Sequence, residues 1–160
     1  MKALIVCTSV SHGNTRRVAD RMAEVLCTDV VEPEEVTVDD ITRYGLVGFG
    51  SGIYFMSVHP RLWNLVRRLP HVDGIPSFTF FTSGASELPL VGYSRPIRWR
   101  LALKGFRVLG SYSCRGFDTV GPLGVIGGVN KGRPNQHDLD RAAAFATRLR
   151  NEVWPPETAS

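Results

Sequence analysis

The chain opens on an unbroken apolar run, Ala3-Leu4-Ile5-Val6, and four short runs of similar character follow: Thr28–Val31, Leu46-Val47-Gly48-Phe49-Gly50, Ser77–Phe81 and Phe106–Gly110. Apart from Ser77-Phe78-Thr79-Phe80 they do not alternate polar and apolar positions as strands with one wet face would, and the set reads as short buried strands covered on both sides. The segments between them carry helical spacing instead. Val18, Met22, Val25 and Leu26 line one side of a helix, with Arg17, Asp20, Arg21 and Glu24 opposite. Leu62, Leu65, Val66 and Leu69 do the same between His59 and Leu69, where Pro60 sits in a first turn that does not need its missing N–H. A short helix is expected from Pro96 to Lys104. The last helix begins near Asn135, a cap with Asp138 three residues on, and presents Leu139, Ala142, Ala143, Ala146 and Leu149 inward. Pro33-Glu34-Glu35 interrupts the second strand, and residues 38–43 read as one helical turn.

Strand and helix alternate along the whole chain. The pattern predicts an α/β domain: a single doubly wound, five-stranded parallel sheet with helices on both faces. The domain covers residues 1–154 and residues 155–160 read as a disordered tail. A glycine-rich segment, 114–134, separates the fifth strand from the last helix and is too long for an ordinary connection.

In such sheets ligands gather at the carboxyl ends of the strands. Three turns belong there: Thr8–Thr15, Ser51–Met56 and Thr82–Ser86, all rich in hydroxyls, glycine or aromatics. The first runs from a buried strand into a helix start, where unpaired N–H groups and the helix dipole favour an anion. Thr8, Ser9, Ser11, Thr15, Asn14 and Gly13 could surround a phosphate without any charged side chain. The same residue types cap helices and build turns everywhere, so composition alone assigns no ligand. No lysine precedes Thr15 as in a P-loop, and the glycines lack the dinucleotide spacing. A phosphate monoester held by neutral donors points to flavin mononucleotide (FMN) over ATP or NAD.

Composition narrows this further. A chain of 160 residues, 43% hydrophobic and 21% charged, is sized for one globular domain. No apolar run approaches the roughly 20 residues that span a bilayer, so no membrane partner is expected. No signal peptide is recognisable, and a cytoplasmic location follows as the expectation. The net charge of +4 suggests an acidic partner or substrate. The arginines are scattered without interleaved aromatics, which argues against nucleic acid. Cys7, Cys27 and Cys114 lack metal spacing and read as free thiols. Trp63 and Trp99 fall within helices and read as packing residues.

The stretch Thr8-Ser9-Val10-Ser11-His12-Gly13-Asn14-Thr15, with Gly50-Ser51-Gly52-Ile53-Tyr54 and Thr82-Ser83-Gly84-Ala85, resembles the flavodoxin family and its flavodoxin-like reductase relatives. The resemblance covers roughly residues 2–113, and the last helix in outline. It implies that FMN is the cofactor, with Ser9, Ser11, Gly13, Asn14 and Thr15 on the phosphate and Thr8 and His12 in the same loop. It implies that Ile53 and Tyr54, carried by Ser51-Gly52, lie along one side of the flavin ring. The Ser83–Ala85 backbone after Thr82 would then approach the ring's pyrimidine edge. Two features depart from the family. Tyr54 stands where one-electron carriers often have glycine, and the chain is basic where electron-carrying flavodoxins are acidic.

The expected function is therefore an FMN-binding redox protein that transfers electrons to a protein or small-molecule acceptor. A reductase taking electrons from NAD(P)H to a quinone-like acceptor remains a second reading. A flavin-free binding module that keeps only the fold is the rival from another class. Neither composition nor motif fixes the oligomeric state.

Overall fold

The computed structural model describes residues 2–10, 13–84, 92–116 and 132–157. The elements run β1 (Ala3–Thr8), α1 (Asn14–Leu26), β2 (Val30–Val31), β3 (Leu46–Tyr54), β4 (Ser57–Val58), α2 (Pro60–Arg68), β5 (Pro76–Ser83), α3 (Arg95–Leu103), β6 (Arg107–Arg115) and α4 (Gln136–Val153). Short 3₁₀ turns at Pro33–Glu35 and Val38–Arg43 fill the long link between β2 and β3. Five strands form a parallel sheet in the order β2-β1-β3-β5-β6. The sixth, β4, is a two-residue antiparallel extension folded back onto the end of β3.

Both faces of the sheet are covered, as the unbroken apolar runs require. On one face Val47, Phe49 and Phe81 pack with Leu62, Leu65 and Val66 of α2 and with Ile97 and Leu101 of α3. On the other, Ile5, Phe78 and Phe80 pack with Val18 and Met22 of α1 and with Ala142, Ala146 and Leu149 of α4. Odd and even positions of β3 thus serve opposite cores, the period-two rule acting within a strand that is apolar on both sides.

The five-stranded parallel sheet is as expected, with the short antiparallel β4 added to the end of β3. Three expectations need correction. Ser51–Tyr54 and Thr82–Ser83 are not loop but the final residues of β3 and β5. Ser51 and Gly52 are in register with Phe81 and Thr82, and Ile53 and Tyr54 pair with Val58 and Ser57, so the ladder continues past the hydrophobic run. The second strand shrinks to Val30–Val31. Thr28 instead sends its hydroxyl to the Ala3 carbonyl (2.8 Å). Trp99 is 67% exposed on the outer face of α3, whereas Trp63 packs against the core as expected. The 3₁₀ turn at residues 38–43, the proline-led α2 and the Asn135 cap of α4 fall where the pattern puts them.

Candidate functional site

Parallel strands bring Thr8, Ser51–Gly52, Thr82–Ser83 and Cys114–Arg115 to one edge. Thr8 lies opposite Ser51, Gly52 opposite Thr82, and Thr82 opposite Cys114. Helix α1 starts against the same edge. Its Thr15 hydroxyl meets the Thr82 hydroxyl at 2.7 Å, a buried pair that clamps the helix start to β5. From the far strand, the Gly116 N–H donates to the Ser83 carbonyl (3.0 Å), and Gly116 itself lies against the Asn14 side chain. Sequence positions more than a hundred residues apart are thereby brought to one place.

The α1 terminus has no side-chain cap among the described residues. Gly13 occupies the cap position in the left-handed region (φ 64°), a conformation glycine adopts without Cβ strain. It supplies no capping side chain, and the first turn contains no acidic residue to offset the dipole. In the strand end that leads into it, Thr8 Oγ1 and Ser9 Oγ are out of contact with solvent and have no hydrogen-bond partner among the described residues. A stranded buried hydroxyl costs on the order of 1–3 kcal/mol. Two of them next to an uncapped helix start form an unfilled set of donors, and that chemistry fits an anion.

The ring-side residues are already organised by the protein. Ser51 is fully buried; its hydroxyl donates to the Gly52 carbonyl (2.5 Å) and accepts from the His59 N–H (3.0 Å). Ile53 points toward the α2/α3 core, while Tyr54 faces the other way. Its ring lies over Gly52 and meets the His59 ring edge-on at 5.4 Å. The turn that follows projects Phe55 (91% exposed) and Met56 (55% exposed), both with positive φ, an uncommon conformation for side chains of this size.

The structure therefore gathers Thr8, Ser9, Gly13, Asn14, Thr15, Ser51, Gly52, Tyr54, Thr82, Ser83 and Gly84 about one edge, and turns Ile53 toward the core. Ser11, His12 and Ala85 lie outside the described residues, as does most of the 114–134 segment. Sequence reasoning missed His59, whose contacts to Ser51 and Tyr54 arise from the β3–β4 hairpin and leave no motif. Cys114 stands in β6 rather than beyond it; burial pushes its thiol up to about 11, which makes it a poor nucleophile. Cys7 is buried in the core and its thiol is raised by the same cause, while Cys27 is exposed at the end of α1. Among the described residues no cluster of His, Cys, Asp or Glu is placed to hold a metal ion, and no helix is long and apolar enough to cross a membrane.

Comparison with known proteins agrees with this architecture. Residues 5–89 match the family model described as a flavodoxin domain. An uncharacterized protein of Methanocaldococcus jannaschii is 36% identical over 149 residues, spanning 93% of this chain and 98% of that protein. Among solved structures, a flavodoxin of Streptococcus pneumoniae TIGR4 superposes with a TM-score of 0.71 at 16% identity, covering 95% of this chain and 99% of the other. Flavodoxin 2 from Bacillus cereus superposes with a TM-score of 0.69 at 20% identity, covering 95% and 99%. At such identities the superpositions establish the fold.

Proposed function

The chain belongs to the flavodoxin-domain family, and from that premise we propose that it binds FMN and works in electron transfer. Membership supports a flavin-binding, electron-transfer role in general terms; the rest follows from this chain's own residues. The observation that carries the proposal is the pair of buried, partnerless hydroxyls, Thr8 Oγ1 and Ser9 Oγ, beside the uncapped start of α1. A phosphate there would satisfy both hydroxyls and the helix dipole together. Asn14, Thr15 and Gly13 would complete the cradle with Ser11 and His12. Tyr54, Ser51 and Gly52 would wall one side of the ring, with Thr82, Ser83, Gly84 and Ala85 at its edge.

When bound, FMN supplies the electron-accepting chemistry. The protein's part is to hold the phosphate with neutral donors, orient the ring at the strand ends and keep water from it. The hydroxyls of Ser51 and Thr15 are already engaged within the protein, where they also fix β3 and α1 in place.

The electron partner is an acidic protein surface. From Gly92 to Gly116 the chain has six basic residues and no acidic one, and the remainder carries more acidic than basic side chains. The Arg95, Arg98 and Arg107 side chains are exposed and have no ion-pair partner among the described residues, so they keep their charge. Charge of one sign steers an oppositely charged partner and weakens with salt.

Equilibrium titration of the purified protein with FMN and with riboflavin tests the site. The expected result is a yellow complex, with riboflavin, which lacks the phosphate, binding at least about tenfold more weakly. A colourless protein that takes up no added FMN would leave the flavin-free module as the reading. Rapid mixing of the loaded protein with NADPH separates the two enzymatic roles: direct bleaching of the flavin would favour the reductase over the carrier.

A further inference from the structure

His59 joins the ring-side wall to the start of α2 through three contacts. Its backbone N–H donates to Ser51 Oγ (3.0 Å), its Nδ1 accepts the Arg61 N–H (3.1 Å) as the N-cap of α2, and its ring meets the Tyr54 ring at 5.4 Å with an 81° interplanar angle. An Nδ1 that accepts a backbone N–H carries no proton, so this arrangement exists only for the neutral imidazole with its hydrogen on Nε2. Protonation would set an N–H against the N–H of Arg61, at the positive end of a helix dipole.

We propose that His59 is a positioning residue whose protonation loosens the Tyr54 side of the flavin wall, so that FMN binding weakens as the pH falls through the His59 titration. The inference rests on the FMN reading above. Among the described residues, the charged and titratable groups facing His59 are Arg61 on α2, Glu34 on the Pro33–Glu35 turn and Tyr54 on β3. Burial chiefly, and then the Arg61 guanidinium, hold its imidazole below the ordinary histidine value, while Glu34 opposes them. The wall is therefore intact at neutral pH and opens only in acid. The sign is fixed by the cap: the state that binds is the deprotonated one, and lowering the pH depletes it.

The test compares FMN dissociation constants for the wild type and His59→Asn between about pH 8 and about pH 5. Asparagine offers a capping oxygen that does not titrate. The phosphate of FMN itself titrates near pH 6, by about the same amount in either protein, so the difference between the two profiles is the readout. The expected result is an extra loss of about fivefold in wild-type affinity at the acid end, the size of one lost helix cap, which His59→Asn abolishes. Superimposable profiles would overturn the inference while leaving FMN binding intact. A second measurement needs no flavin. In the FMN-free protein, the Tyr54 ring resonances should move with the same midpoint as the His59 ring protons. A Tyr54 ring unmoved through that midpoint would also overturn it. If no FMN binds at any pH, the cofactor reading fails and the Tyr54 resonances alone decide whether His59 positions that ring.

Discussion

Helices α1 and α4 pack side by side on one face of the sheet, yet their N-termini are built on opposite principles. At α4 the capping box is complete. The Asn135 side chain accepts the Asp138 N–H (3.0 Å), Asp138 accepts the Asn135 N–H (2.9 Å), and Arg133 grips the same carboxylate with two bonds of 2.6 and 2.7 Å. Asp138 is 1% exposed, and the Tyr112 hydroxyl reaches its carbonyl (2.6 Å). At α1 the cap is a bare glycine, and two hydroxyls of the preceding strand end have no partner among the described residues. The contrast separates a helix start capped by its own side chains from one without a side-chain cap. Neighbouring helices of one domain thus start in different ways, so the bare cap of α1 is a local feature of that terminus.

The comparison can be broken most severely at the closed end. Asp138→Ala strands the Arg133 guanidinium and removes the capping box together, and it should lower stability by about 3 kcal/mol in urea denaturation. Its effect on FMN affinity should be small, because the carboxylate belongs to the structural terminus. At the open end the signs reverse. Thr8→Val removes a hydroxyl that has no partner among the described residues, so the melting temperature of the FMN-free protein should hold or rise. The same change should weaken FMN by about 1–3 kcal/mol, measured by fluorescence titration. Gly13→Ala sharpens the contrast further. An added Cβ would meet nothing within 4 Å, so the cost is that of the left-handed backbone alone, about 1 kcal/mol, read from the melting temperature.

The smallest effect concerns a thiol near the same edge. With its thiol pushed up to about 11, Cys114 should resist iodoacetamide at neutral pH while the exposed Cys27 is labelled, as peptide mapping would show. Raising the pH should speed Cys114 labelling about tenfold per unit until its titration is complete. Fast labelling of Cys114 at neutral pH would mean that the β6 end is more open than its burial indicates.

Much of the fold was legible because it rests on local chemistry. The Asn135–Asp138 capping box, the proline at the start of α2 and the apolar runs of β1, β3 and β5 are patterns within a few residues. What escaped depends on partners distant in sequence. The reach of β3 to Tyr54 and of β6 to Arg115 is set by neighbouring strands, since residues such as Ser51, Gly52, Ser111 and Ser113 have no strand preference of their own. Thr15 looks like a free donor in the sequence, but Thr82, sixty-seven residues on, already engages it. Trp99 looks like a core residue by its type, yet α3 turns Ile97 and Leu101 inward and leaves the indole outside. The hydroxyls whose isolation matters, those of Thr8 and Ser9, cannot be told by spacing from those that are satisfied.

The even positions of β3 have a consequence for how this sheet can evolve. Gly48 and Gly50 serve as sockets for the rings of Phe78 and Phe80 on the adjoining strand: a methyl group at either glycine would come within 2.3 or 2.0 Å of the ring's end carbon. A single step to alanine in β3 is barred while the phenylalanine stands, and a smaller residue in β5 leaves a hole that nothing else fills. Each glycine and its aromatic neighbour form one inherited unit, to be exchanged together or kept together.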